Sequence, residues 1–84
     1  MSGAEPPLRR IHSDITYEQD PRARDSLEFH RRMTTEDIVE SLRRDARYPL
    51  KVKPDGRIFD GNTRIRVLEE RGYPVDDLPR ETME

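Results

Sequence analysis

The sequence predicts a small α/β (α+β) domain in which a short mixed sheet is joined to two or three helices. Three local patterns predict it. Leu50-Lys51-Val52-Lys53 alternates apolar with polar and runs into Pro54-Asp55-Gly56-Arg57, after which Ile58-Phe59 returns. That is a strand, a tight turn and a second strand, with proline presetting one turn dihedral and glycine taking the positive one. Ile38, Val39, Leu42 and Ala46 fall on one helical face behind Thr34-Thr35-Glu36-Asp37, a capping sequence whose acidic pair suits a helix N-terminus. Ile65, Val67 and Leu68 make the apolar side of a further helix over residues 64–71, with Gly72 set to close it before Tyr73-Pro74.

The elements follow in chain order. Residues 1–7, MSGAEPP, read as a disordered tail, and 8–84 as one domain whose best-supported part is 34–78. Ile15 to Tyr17 suggest a short strand, and Glu18 to Arg24 a turn in which Pro21 holds Asp20 out of helix. Residues 25–32 suggest a short helix capped by Asp25 or Ser26, and the capped helix behind it is expected over residues 35–46. Arg43, Arg44 and Arg47 fall where they complement its dipole. Val75 to Leu78 read as an exit strand and residues 80–84 as a frayed end.

Composition bounds the function. Of 84 residues, 31% are apolar and 40% charged, so the core must be small. At this length little more than about 60% of the unfolded surface is buried, a thin margin of stability. Such a composition leans toward flexible ends or a partner. The net charge is −2, and 11 Lys/Arg against 10 Asp/Glu up to residue 53 leave no basic half, so any nucleic-acid contact must be local. The absence of cysteine removes disulfides, thiol chemistry and thiolate metal ligands. No apolar run is long enough to span a bilayer and the N-terminus lacks a secretory segment, so the expectation is a cytoplasmic protein without membrane partners.

The stretch that carries chemistry is Asp60-Gly61-Asn62-Thr63-Arg64. A glycine before a helix lets a ligand approach the backbone, and the helix start offers unpaired amides to an anion. Asn62 and Thr63 add an amide and a hydroxyl, and Arg64 a forked cation suited to phosphate. The competing reading is ordinary turn and cap chemistry with a solvated arginine.

The run PLKVKPDGRIFDGNTRIRVLEERGY resembles the core of the ParB/sulfiredoxin superfamily, the ParB-like nuclease domain. The residues that carry the resemblance are Pro49, Leu50, Val52, Asp55, Gly56, Ile58, Asp60, Gly61 and Arg64. It covers about half the chain, residues 34–78, and its Gly-x-x-Arg signature follows a Pro-Asp-Gly hairpin as in the family. The resemblance implies phosphate binding by Gly61, Asn62, Thr63 and Arg64, with Asp60 as the acidic candidate for catalysis. The superfamily includes nucleotide-binding partition proteins with CTPase activity, ATP-dependent sulfinic acid reductases, a free-serine kinase and proteins described as DNases. The reductase branch needs a cysteine in this turn, which this chain lacks. Partition proteins carry a second motif, Glu-Asn-x-x-Arg, and a helix-turn-helix, neither of which is present here.

The expectation is therefore a nucleotide- or DNA-phosphate-binding domain, with phosphoryl transfer or nuclease chemistry assisted by Mg²⁺ if it is an enzyme. The alternative is a non-catalytic module that binds a protein partner on the same fold. The first reading expects Arg64 to point outward, so that Arg64→Ala removes binding and spares the fold. His12 and His30 read as surface residues, Arg31-Arg32 and Arg43-Arg44 as solvated pairs or a basic patch, Asp76-Asp77 as a surface turn, and Tyr73 as packing at a helix end.

Overall fold

The architecture was read from a computed structural model, which describes residues 6–11 and 14–83. Its order is α1 Asp14–Gln19, α2 Pro21–Arg31, α3 Thr35–Ser41, β1 Lys51–Val52, β2 Ile58–Asp60, α4 Asn62–Glu70, a 3₁₀ turn Val75–Asp77 and β3 Glu81–Thr82. The sheet runs β2-β1-β3, with β1 antiparallel to β2 and parallel to β3. The α+β class and the mixed sheet are as expected. The described residues form four α-helices, against the two or three expected.

The hairpin forms where the turn sequence places it. Gly56 N–H donates to Lys53 O at 2.9 Å and Lys53 N–H to Arg57 O at 2.8 Å. Asp55 Oδ1 accepts from Arg57 N–H, a bond that holds the exposed Asp55 carboxyl below its usual range. The N-terminal segment then adds to the sheet. Arg9 pairs with Arg57, donating to Gly56 O and accepting from Ile58 N–H, both at 2.9 Å. Gly56 permits that approach, because a Cβ there would lie 2.3 Å from Pro7 O. Arg80 also donates to Pro6 O at 2.7 Å. Pro6 and Pro7 are thus packed against the domain, whereas the tail was expected to run through residue 7; the rest of that tail lies outside the described residues.

The first 33 residues differ from expectation in type and in boundary. Ile15 to Tyr17 lie in a helix, not a strand: Tyr17 is 3% exposed and Ile15 is 57% exposed, so these two positions do not share a face. The turn expected over 18–24 shrinks to Asp20, which is extended as Pro21 requires. Asp20 Oδ1 accepts from Arg22 N–H and proline takes the first helical position, so α2 begins there and not at Asp25 or Ser26.

Helix α3 starts as read, with Thr34 Oγ1 accepting from Asp37 N–H at 3.1 Å. It ends at Ser41 instead of Ala46, because the carbonyls of Ser41 and Tyr48 both turn to the Arg64 guanidinium. The expected exit strand Val75–Leu78 is a 3₁₀ turn, in which Val75 and Leu78 are buried three residues apart, the repeat of that helix. The final strand is β3, in the segment expected to fray. Glu81 N–H donates to Leu50 O and Met83 N–H to Val52 O, at 2.8 and 2.7 Å.

The core gathers where the helices meet the hairpin. Ile38 from α3 and Leu42 just past its end, Leu50, Val52 and Ile58 from the hairpin, and Ile65 and Leu68 from α4 are all fully buried. Leu27 of α2 and Tyr17 of α1 extend it. Burying a large aliphatic side chain stabilises by about 1.5–3 kcal/mol, so few residues carry much of the stability. Among the described residues no helix is long and apolar enough to cross a membrane.

Candidate functional site

Gly61 sits between β2 and α4 with φ of 120°, a backbone conformation that a side chain resists. A Cβ there would lie 3.0 Å from Leu50 Cδ1 and 3.4 Å from Leu42 Cδ2. The glycine therefore serves first to bring the start of α4 onto the core.

Asn62 is buried and both ends of its amide are engaged. Nδ2 donates to Ile58 O at 3.0 Å, and Oδ1 accepts from Ile11 N–H at 2.9 Å. It ties the N-terminal segment to β2. Thr63 Oγ1 lies 3.1 Å from the Tyr17 hydroxyl, and the Arg66 guanidinium stands over the Tyr17 ring at 5.2 Å. These contacts seat α1 against α4.

Arg64 departs furthest from expectation. It is 8% exposed and turned inward. Its Nη1 donates to Ser41 O at 2.9 Å and to Tyr48 O at 2.8 Å, with Ser41 Oγ at 3.3 Å. Its Nη2 lies 3.6 Å from Asp60 Oδ1, one helical turn away in sequence. Burial pushes the guanidinium below its ordinary pKa, with Asp60 acting in the opposite direction. The cation is used to close α3 and to hold the chain between α3 and β1.

The geometry nonetheless leaves a cleft beside this corner. A cavity of about 190 Å³ is lined by Ser26, His30 and Phe59 and by residues 60–64 at the start of α4. The first α4 amides have no acceptor within their own helix, since the first bond of that kind here is Ile65 N–H to Gly61 O. A second cavity of about 490 Å³ is lined by Phe29, His30, Met33, Ser41, Ala46, Arg47 and Tyr48. His30, Asp60 and Arg64 line both, so the two make one cleft with a polar and an apolar end. Phe29 and Tyr48 at the apolar end are 61% and 62% exposed, and Arg47 stacks over the Tyr48 ring.

Residues 60–64 line one cavity, with the Asn62 and Arg64 side chains committed to the fold, and α2 and residues 46–48 complete the cleft. Sequence periodicity did not show these additions, because they come from elements distant in the chain. His30, read as a surface residue, stands at the junction of the two cavities; His12 lies outside the described residues. Three of the four paired arginines are engaged by neighbours. Arg31 is bound to Glu70, Arg43 to Glu40 and Asp45, and Arg44 Nε donates to Arg80 O. Asp76 accepts from Leu8 N–H, and Tyr73 packs against the core.

Among the described residues no three His, Cys, Asp or Glu side chains converge as metal ligands. Asp60 brings one carboxylate to the cleft, 3.6 Å from the Arg64 guanidinium. A single carboxylate leaves a Mg²⁺ ion to complete its octahedral oxygen shell from water and a bound phosphate. Comparison with protein-family models, with curated proteins and with solved structures gives no match.

Proposed function

We propose that this chain is a ParB-like phosphate-binding domain that takes a nucleotide in the cleft between α2 and the start of α4. The observation that supports the reading is the cleft's polarity: an apolar end with two exposed aromatic rings meets the N-terminus of a nine-residue helix. A phosphate gains from unpaired helix amides and from the helix dipole, and a base gains from an aromatic platform.

The roles differ from those that the sequence suggests. The amides of Asn62, Thr63 and Arg64 act as donors, while the Asn62 and Arg64 side chains hold the corner in shape. Asp60 orients Arg64. With a single carboxylate and no resident metal set, the reading is of binding and assigns no catalytic step; Mg²⁺ enters only as the counter-ion that a nucleotide brings. DNA phosphate is the weaker ligand here, because a net charge of −2 gives the chain no general attraction for a polyanion. The reading sets the protein in the cytoplasm, where nucleotides are held.

The test is thermal unfolding with ATP, CTP, GTP and a short DNA, with and without Mg²⁺. A ligand at a hundred times its dissociation constant raises stability by about 2.7 kcal/mol. The decisive variant is Thr63→Glu. It adds an anion at the start of α4, favourable to the helix by about 0.3–1 kcal/mol and repulsive to a phosphate. Stability is expected to stay within about 1 kcal/mol, since the Tyr17 hydrogen bond is lost in exchange. The nucleotide shift is expected to vanish. An equal shift in both proteins would place the ligand elsewhere.

A second reading rests on Phe29, Tyr48 and Phe59, exposed aromatics that all line the cleft. Aromatic side chains are frequent anchors in protein interfaces. A chain that binds no nucleotide but loses a captured protein on Tyr48→Ala would be a docking module.

A further inference from the structure

We propose that His30 is the residue that makes anion recognition in this cleft depend on pH, contacting the ligand's phosphoryl oxygens through Nε2 when protonated. The inference rests on the reading of the cleft as a phosphate site.

Three observations carry it. His30 is half-buried on the last turn of α2 and lines both the polar and the apolar cavity. Its Nδ1 lies 2.7 Å from Ser26 O, the carbonyl one turn earlier in the same helix. A carbonyl only accepts, so Nδ1 carries a proton in either charge state and Nε2 is the atom that titrates. The ring is also held from the side by Phe29, whose edge meets it with centroids 5.2 Å apart. With Nδ1 engaged on its own helix, Nε2 is the ring nitrogen through which His30 would meet a ligand.

The charges around the ring are of both signs. Asp60 of β2 and Arg64 of α4 line both cavities with it, and Arg47 and Tyr48, from the chain between α3 and β1, line the apolar one. Arg64 is already bonded to Ser41 and Tyr48, and Arg47 is stacked on Tyr48. An arriving dianion therefore gains a further cationic donor from His30. Linkage makes the effect reciprocal: protonation tightens the anion, and the anion raises the His30 pKa.

The probe is sulfate, which remains a dianion from about pH 8 to about pH 5, the range in which histidine changes charge. Calorimetric titration of the full chain is expected to show sulfate binding that tightens about tenfold as pH falls, the equivalent of one charge-assisted hydrogen bond. His30→Gln keeps a polar side chain without a titrating group and is expected to bind with a flat pH profile. Proton NMR of the wild-type imidazoles checks the same linkage without a variant: the His30 pKa is expected to rise when sulfate is added. Binding that is independent of pH in the wild type, or equally pH-dependent in His30→Gln, would overturn the role of His30 and leave the phosphate reading standing. An absence of sulfate binding at both ends of the range would overturn both.

Discussion

A single side chain shows how the same residue serves either a ligand or the fold. Arg64 lies in the Gly-x-x-Arg signature, and a forked cation there suits phosphate. In the structure its hydrogen bonds go to Ser41 and Tyr48 carbonyls. Hydrogen bonds from a charged group contribute about 1.5–3 kcal/mol each, and a deletion leaves buried acceptors without partners. Arg64→Ala is therefore expected to cost about 2–4 kcal/mol in urea unfolding, against the few tenths of an ordinary surface change. A loss of ligand binding in that variant would report unfolding as much as contact. Thr63→Glu and His30→Gln are the better tests of the cleft. Should Arg64→Ala unfold at the wild-type midpoint, the clamp on residues 41–48 contributes nothing.

Between elements, α2 and α4 pack along each other, and charged groups at their edges tie them. Arg31 donates to Glu70 through Nε at 3.1 Å and Nη2 at 2.5 Å. The Arg31 hydrogen bond is the main reason that the Glu70 carboxyl sits below its usual range. A carboxyl with a depressed folded pKa binds fewer protons folded than unfolded, so its contribution is whole at neutral pH. That contribution is lost as pH falls through the unfolded value of about 4.3 toward the lower folded one. Because the pair is partly exposed, its worth is a few tenths of a kcal/mol, and salt screens it. Glu70→Gln is expected to lower the melting temperature by about 2 °C at neutral pH and by nothing near pH 2. An equal deficit at both pH values would mean that Glu70 acts by packing and not by charge.

Across the whole molecule, the two chain ends hold each other. The segment from Pro6 to Ile11 pairs with the hairpin, caps onto Asn62 and Asp76, and accepts from the buried Arg80. Arg80 in turn precedes β3 and its carbonyl receives Arg44. A protein with so small a core depends on such ties. Removal of residues 1–10 breaks two Arg9 ladder bonds and the contacts of Pro6 and Leu8, each worth about 1 kcal/mol net. The truncated chain is expected to melt on the order of 10 °C or more lower, at about 4–8 °C per kcal/mol. An unchanged melting point would show that this segment rides on the domain without supporting it.

What was legible in the sequence is what short-range chemistry decides. Pro54-Asp55-Gly56 specifies its turn through preset dihedrals, Thr34 caps its own helix, and Ile65 and Leu68 mark a buried face by spacing alone. Asp20-Pro21 carried a further helix start that the turn reading passed over, though a proline at the first helical position signals it. The rest was decided by partners distant in the chain. Tyr17 lies in a helix and its hydroxyl reaches Thr63, α3 stops where Arg64 takes the Ser41 carbonyl, and residues 81–82 become a strand because β1 has a free edge. The corner at 60–64 was visible as a motif, but the direction of Arg64 was not, since local spacing says nothing about which carbonyls the fold will leave unpaired. Its own sequence therefore determined the hairpin, the cap and the position of the corner. Only tertiary structure decided that the arginine closes a helix while α2 and the aromatic residues complete the cleft, because hydrogen-bond demand and burial are settled between elements once they meet.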